Sequence, residues 1–272
     1  MFKLGFSTIG CPDYDIEQII DLATANRFEG VELRFVRGTT DLGSLEEFSA
    51  ENLPTTTRRF DDAGIVVVAI DTSVRMNSLD PGVRREQIEL TKLNLVIAEA
   101  LGAKYLRVFG GENPKGQSKR GTRTAIVDGL SEVAELTHAS GVMSLLGTHD
   151  SFSTSDEILA LFDEGASTKL GVLWDTLHTY RYGEDAQDTW NKLGSRVHHV
   201  HVKDSTVASP DEFDFALTGK GIVPIPHIVD VLRSRSFSEF VDFEWEKGWH
   251  PDIAEPQIAI PHFSRYMSSL LR

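Results

Sequence analysis

Three short apolar stretches of the chain, each with the pattern of a β-strand, carry a side chain that can bind a metal ion at or near their end. One stretch ends in Asp175, the second presents His201 close to its end, and the third ends in Glu244. Two carboxylates and one imidazole suit Mn, Mg, Co or Zn better than an ion that prefers thiolates. An Asp at a strand end is as often a helix cap as a ligand. It is the shared position of all three that indicates one metal site, with Asp175, His201 and Glu244 as its ligands.

The elements that would position these side chains alternate along the whole chain. Short β-rich stretches are followed by helical patterns, as in Ile16, Ile19, Ile20 and Ala23, which is typical of βα units on a parallel sheet. The eight predicted strands are Leu4 to Thr8, Gly30 to Phe35, Ile65 to Asp71, Tyr105 to Phe109, Val142 to Thr148, Leu170 to Asp175, Val197 to Lys203 and Phe240 to Glu244.

An open doubly wound sheet would carry a glycine-rich phosphate loop after its first strand, and here that turn reads Ser7-Thr8-Ile9-Gly10-Cys11-Pro12. The sequence therefore predicts an α/β fold, a (β/α)8 TIM barrel, as one domain over residues 1–272. The carboxyl ends of all strands of such a barrel meet at one rim, so ligands far apart in sequence can share one ion. The long segments Val36 to Glu46, Gly110 to Arg120 and Asp204 to Ile222 are predicted to be irregular loops at that rim.

Composition narrows the class of protein. With 272 residues, 40% hydrophobic and 25% charged, the chain has the make-up of an ordinary globular protein. Its formal net charge of -14 argues against nucleic acids and anionic membranes as partners. Cys11 is the single cysteine, and Met1 is followed by a strand pattern rather than a signal peptide. We expect a cytoplasmic protein whose partner is a small-molecule substrate, and the chain is compatible with a homo-oligomer.

Four motifs resemble the sugar phosphate isomerases and epimerases of the xylose isomerase-like barrel superfamily. They are Asp175-Thr176-Leu177-His178, His199-Val200-His201-Val202-Lys203-Asp204, Gly219-Lys220-Gly221 followed by Ile225-Pro226, and Phe243-Glu244-Trp245-Glu246. The resemblance covers nearly the whole chain. It implies the same barrel, a divalent metal held by Asp175, His201 and Glu244, and His178 facing the substrate.

The chain departs from that family at the end of the fifth predicted strand. The family has a fourth ligand there, the Glu of a Glu-x-His motif, whereas this chain reads Leu146-Gly147-Thr148-His149. Glycine supplies no ligand atom, so we expect a metal to bind more weakly than in a four-ligand site. His149 points to the same face as Gly147, because side chains alternate along a strand. One alternative is that His149 replaces the missing ligand; the resemblance instead implies that it contacts substrate or moves a proton.

A second group, the metal-dependent 3-dehydroshikimate dehydratases, is similar at Arg107-Val108-Phe109, at Thr148-His149 and from Asp175 to His178. In that comparison Arg107 would hold a substrate carboxylate through paired hydrogen bonds. The alternative is that Arg107 forms an ion pair with Glu32, an inward-facing residue of the second predicted strand. Lys203 either binds an anion or pairs with Asp204.

The leading functional hypothesis is a divalent-metal-dependent isomerase or epimerase of a small sugar or polyhydroxy carbonyl compound. It would act through an enediolate, with Glu244, His149 and His178 as catalytic groups and Arg107, Lys203 and Glu32 as substrate contacts. One alternative is a dehydratase of a 3-dehydroshikimate-like hydroxy acid, and another is a barrel that binds a ligand without catalysis. The loop Gly219-Lys220-Gly221 is either a phosphate site or a tight turn.

Overall fold

The computed structural model, which describes residues 1–272, contains eight parallel strands closed into a barrel, as predicted. These strands are β1 (Lys3–Ser7), β2 (Gly30–Leu33), β3 (Val66–Arg75), β4 (Tyr105–Phe109), β5 (Met143–Gly147), β6 (Gly171–Asp175), β7 (Val197–Val202) and, after a hairpin of β8 (Asp204–Ala208) and β9 (Phe213–Ala216), β10 (Phe240–Phe243). Neighbouring strands follow chain order, and β10 pairs with both β7 and β1 to close the ring.

Helices alternate with these strands along the chain. They are α1 (Ile16–Ala25), α2 (Leu53–Ala63), α3 (Pro81–Ala100), α4 (Lys119–Ala139), α5 (Ser155–Asp163), α6 (Thr176–Arg181), α7 (Ala186–Leu193), α8 (Ile225–Ser234) and α9 (Pro256–Leu270). Capping residues in the sequence mark where several of these helices begin. Thr154 and Glu157, for example, cap α5 with reciprocal hydrogen bonds in a capping box. Even the longest helices, α3 and α4, are too polar to cross a lipid bilayer.

The side chains that face the barrel interior change from apolar to charged along the barrel axis. A cluster of buried side chains fills its lower part: Val68, Ala69, Tyr105, Leu145, Leu173 and Phe240. Further toward the carboxyl ends of the strands, the inward positions carry charged groups instead, including Glu32 and Asp242, both fully buried. The apolar layer closes one end of the barrel, so a ligand can approach the charged layer only from the mouth.

The segment after β7, predicted to be irregular between Asp204 and Ile222, instead contains the antiparallel hairpin of β8 and β9. Arg181, at the end of α6, holds this hairpin by donating to the carbonyl oxygens of Ser209 and Pro210 and by lying 4.5 Å from the ring of Phe213. The ring of Phe213 is in turn 6.1 Å from that of His178. The hairpin therefore forms one wall of the mouth.

Candidate active site

The barrel brings Asp175, His201 and Glu244 together. Asp175 is the last residue of β6 and is paired in register with His201 of β7, while Glu244 directly follows β10. One potential ligand atom of each residue lies within 4.8 Å of the corresponding atoms of the other two, and all three side chains are buried. The chemistry of this donor set fits a divalent metal ion bound by three protein ligands.

Lys203 lies among the same carboxylates. Its Nζ is 2.8 Å from Oδ2 of Asp175, 2.5 Å from Oε2 of Glu244 and 2.5 Å from Oε1 of Glu246. Burial by itself would lower the pKa of Lys203, but the surrounding carboxylates hold that pKa well above its ordinary value. The residue is therefore a buried ammonium. It does not pair with Asp204, the partner considered from the sequence.

His201 is fixed between two carboxylates. Its Nε2 is 2.9 Å from Oε2 of Glu32, and its Nδ1 is 3.3 Å from Oε1 of Glu244. Burial opposes protonation of the ring, yet Glu32 and Glu244 raise the pKa of His201 well above its ordinary value. Glu32 thus orients the imidazole from below. Its side chain is fully buried, and one of its oxygen atoms lies within 4.8 Å of ligand atoms of Asp71 and Glu244.

Below this pair lies an ionisable layer that the sequence reasoning only partly identified. His199 is 3.4 Å from Oε2 of Glu32 and 3.3 Å from Oδ2 of Asp242. Asp242 was missed, although its two-residue spacing from Glu244 on an alternating strand places both on the inner face. Space for this layer comes from Gly5, where a Cβ would collide with the Asp242 carboxylate.

Arg107 of β4 lies between two acidic groups. Its Nε contacts Asp71 of β3, and its Nη1 is 3.6 Å from Oε1 of Glu244. The ion pair with Glu32, considered from the sequence, is not formed. Asp71 was missed, although it ends a predicted strand just as Asp175 does. Because the guanidinium is almost completely buried and reaches Glu244, it contributes a second cation to the site.

Gly147, at the end of β5, leaves open the place that the resemblance assigns to a fourth ligand. A Cβ there would lie 3.7 Å from Cδ of Arg107 and 3.9 Å from Cβ of His149, which are ordinary contact distances. No close neighbour requires glycine at this position. The side chain of Arg107 instead runs alongside it.

Two further histidines line the mouth. The side chain of His149 is 31% exposed, and its Nδ1 is 2.7 Å from Oδ1 of Asp150. The ring centroid of His178 lies 4.5 Å from that of His149, and Nε2 of His178 has no hydrogen-bond partner. Burial, with Lys203 nearby, lowers the pKa of His178 well below its ordinary value, so this imidazole is neutral. Asp150 was missed because nothing in its sequence context marks it.

The loop Gly219-Lys220-Gly221 forms a tight turn around Asp204. The backbone N–H groups of Gly219 and Gly221 donate to Oδ2 of Asp204 at 2.8 and 2.9 Å, and that of Val223 donates to Oδ1 at 3.1 Å. These amides are the groups that a phosphate would need. Of the two alternatives considered from the sequence, the tight turn is therefore the one observed.

Comparison with known proteins places this geometry in context. A family model described as a xylose isomerase-like TIM barrel matches residues 20–263. The chain is 25% identical to the inosose dehydratase of Geobacillus thermodenitrificans over 147 residues, which cover 48% of this chain and 49% of that protein. It is 21% identical to the fructoselysine 3-epimerase of Escherichia coli O157:H7 over 170 residues, 61% of each chain. The chain thus spans about half the length of the first curated relative it matches.

Solved structures show the same fold. The probable 3-DHS dehydratase of Bacillus anthracis superposes with a TM-score of 0.81 at 20% identity, over 98% of this chain and 99% of that one. The IOLI protein, described with a binding zinc atom, superposes with a TM-score of 0.82 at 18% identity, over 99% of this chain and 98% of that one. At these identities the likeness establishes the barrel, and the side chains above carry any argument about chemistry.

Proposed function

The chain belongs to the xylose isomerase-like TIM barrel family, and we propose that the protein is an enzyme that removes a proton beside the carbonyl group of a small polyhydroxylated compound. The observation that carries the proposal is the arrangement of His149, a partly exposed imidazole oriented by Asp150, above a layer of buried cations and carboxylates. Inosose dehydratase and fructoselysine 3-epimerase, two relatives of the chain, both bear names of reactions at polyhydroxylated compounds.

His149 is the proposed base. Burial acts to raise the pKa of Asp150, but the hydrogen bond with His149 outweighs it and the pKa lies below its ordinary value. An ionised Asp150 accepts from Nδ1, which selects the tautomer with a free, unprotonated Nε2. That nitrogen can take a proton from a substrate carbon.

The buried cations would stabilise the negative charge that this step creates. When the C–H bond breaks, its electron pair moves onto the carbonyl oxygen as an enolate, and oriented donors stabilise such an oxyanion in a site that excludes water. Arg107 and Lys203 are the donors available in this chain. His178, being neutral, can donate to or accept from a substrate hydroxyl group. Glu32 acts indirectly by orienting His201.

Asp175, His201 and Glu244 would hold a divalent metal ion, for which Mn, Mg, Co and Zn are the candidates. Such an ion would supply Lewis acidity for the carbonyl oxygen. The IOLI protein, which shares the barrel, is described with a bound zinc atom, and zinc is one of these candidates. Glu244, which the sequence suggested as a catalytic group, suits the role of ligand better than that of base. Burial acts to raise the pKa of Glu244, but Lys203 and His201 hold that pKa well below its ordinary value.

The reactions considered from the sequence differ in the number of acid–base groups that they need. Epimerisation removes a proton from one face of a carbon and returns one to the other face, which calls for a second acid–base group opposite the first. Gly147 offers none, and Glu244 is engaged by cations. One base on one face suffices for β-elimination, in which the C–O bond at the next carbon breaks and the departing hydroxide is protonated to water. We therefore propose dehydration of a hydroxylated ketone.

Isomerisation of a ketose is the second candidate, because a single base can carry a proton between adjacent carbons on one face of an enediol. Incubation in D2O with inosose, 3-dehydroshikimate and a panel of ketoses distinguishes the outcomes by NMR. Loss of water from a substrate supports dehydration, and aldose formation supports isomerisation. If Mn2+ or Zn2+ is supplied and neither deuterium incorporation nor turnover occurs, the result favours a barrel that binds a ligand without catalysis.

A further inference from the structure

The oxygen atoms of the two carboxylates that would bind a metal already have partners within the protein. In Asp175, Oδ1 accepts from the backbone N–H groups of Leu177 and His178 at 3.0 and 3.2 Å, and Oδ2 lies 2.8 Å from Nζ of Lys203. In Glu244, Oε2 is 2.5 Å from the same Nζ. Oε1 of Glu244 lies 3.3 Å from Nδ1 of His201 and 3.6 Å from Nη1 of Arg107.

Two cations of the protein already contact these carboxylates. Lys203 contacts Asp175, Glu244 and Glu246, and Arg107 contacts Glu244 and Asp71. Gly147 adds no further carboxylate. A divalent ion that entered the donor set with both cations in place would therefore be repelled by their positive charges, and charge repulsion is strong at such short distances.

We propose that Lys203 competes with a divalent metal ion for Asp175 and Glu244, so that the protein's own ammonium holds the site until an ion displaces it. Glu246 can hold the displaced ammonium group, because its Oε1 lies 2.5 Å from Nζ of Lys203 and Glu246 does not belong to the donor set. A displaced Lys203 keeps one carboxylate partner and remains charged. The metal affinity of this chain is then set by Lys203 as well as by the ligands.

The test measures binding of Mn2+ alone by the EPR signal of the free ion, without substrate. We expect the Lys203→Met variant to bind Mn2+ at least tenfold more tightly than the wild type. Lys169→Met is the matched control, since Lys169 pairs with Glu135 on the surface, and its Mn2+ affinity should equal that of the wild type. Equal affinity of Lys203→Met and wild type would overturn the proposal.

Removing the ammonium takes away the cation that three buried carboxylates share, and of these only Glu244 keeps Arg107. Lys203→Gln, whose amide can still donate to the carboxylates, is therefore the second variant. It should show the same gain in affinity, and Mn2+ should raise its melting temperature more than that of the wild type. Should neither variant fold, micromolar or tighter Mn2+ binding by the wild type would by itself contradict the competition. The competition concerns the proposed metal site, but its test does not require catalytic activity. If the protein turned over no substrate, the proposed function would be refuted, while the Mn2+ affinities would still test the competition.

Discussion

The side chain of Arg107, on β4, runs past Gly147 at the end of the neighbouring strand β5 and leaves room for a Cβ atom at position 147. A Cβ on Gly147 would make ordinary van der Waals contact with Cδ of Arg107. The absence of a ligand at this strand end is therefore a matter of residue type rather than of crowding, and it can be tested by substitution.

We predict that Gly147→Ala leaves the free energy of unfolding unchanged or raises it by up to about 1 kcal/mol, because a strand glycine costs entropy that alanine does not. The contrasting variant is Gly5→Ala. Its Cβ would lie 2.8 Å from the carbonyl oxygen of Gly30 and collide with Asp242, so it should lose about 1–3 kcal/mol through overpacking. Urea unfolding of both variants measures the difference. A loss of stability in Gly147→Ala as large as that in Gly5→Ala would show that position 147 is crowded.

A second prediction concerns the thiol of Cys11. The residue has no exposed surface, and burial raises the pKa of the thiol far above its ordinary value, so the reactive thiolate is not formed in the folded protein. We expect no reaction with a disulfide reagent under native conditions and one thiol titrated per chain in urea. Fast labelling of the native protein would mean that the segment after β1 opens locally.

The alternation of strand and helix patterns along the chain was enough to predict the barrel. Because the carboxyl ends of its strands meet at one rim, Asp175, His201 and Glu244, at or near three strand ends, were expected to come together, and the structure brings them together there. All eight barrel strands were located to within a few residues of their ends, with β3 extending furthest beyond the prediction.

The rest depended on contacts that no local pattern specifies. Lys203 lies just beyond the end of β7, and the sequence could not show that it contacts Asp175 and Glu244 rather than its neighbour Asp204. Which of these pairs forms is decided by how the loops fold, since the backbone amides around Gly219 already surround Asp204. The hairpin of β8 and β9 was missed because its strands are partly exposed and lack the near-continuous apolar residues by which the barrel strands were recognised.

The pH dependence of stability provides a third prediction. Burial lowers the pKa of His198, so the folded protein binds a proton there less readily than the unfolded chain, whose histidines titrate near about 6.5. The contribution of His198 to the free energy of unfolding should therefore decrease as pH falls from about 7.5 to about 5.5. The stability of His198→Gln relative to the wild type, measured by thermal unfolding, should accordingly be higher at about pH 5.5 than at about pH 7.5. His138→Gln, at an exposed position on α4, should behave like the wild type; an equal pH dependence in His198→Gln would contradict the prediction.

The fourth prediction tests the proposed base. Replacing His149 with Gln should lower the rate of substrate deuterium exchange by ~10²–10⁴-fold, the usual contribution of a general base. His138→Gln serves again as the control, because its imidazole lies on the surface of α4 and away from the mouth. Exchange that persists at the wild-type rate in His149→Gln would assign the proton transfer to another group, and His178→Gln would be examined next.

The fifth prediction isolates the role of Asp150, whose backbone has the left-handed φ of 53° that Asn also tolerates. Asp150→Asn should therefore fold normally, but an amide cannot hold Nδ1 of His149 in the donating tautomer as a carboxylate does. We expect kcat to fall by at least about tenfold with KM little changed, a smaller loss than His149→Gln produces because the imidazole itself remains. Steady-state kinetics measure both constants. A rise in KM as large as the fall in kcat would indicate that Asp150 only supports the loop and does not orient the base.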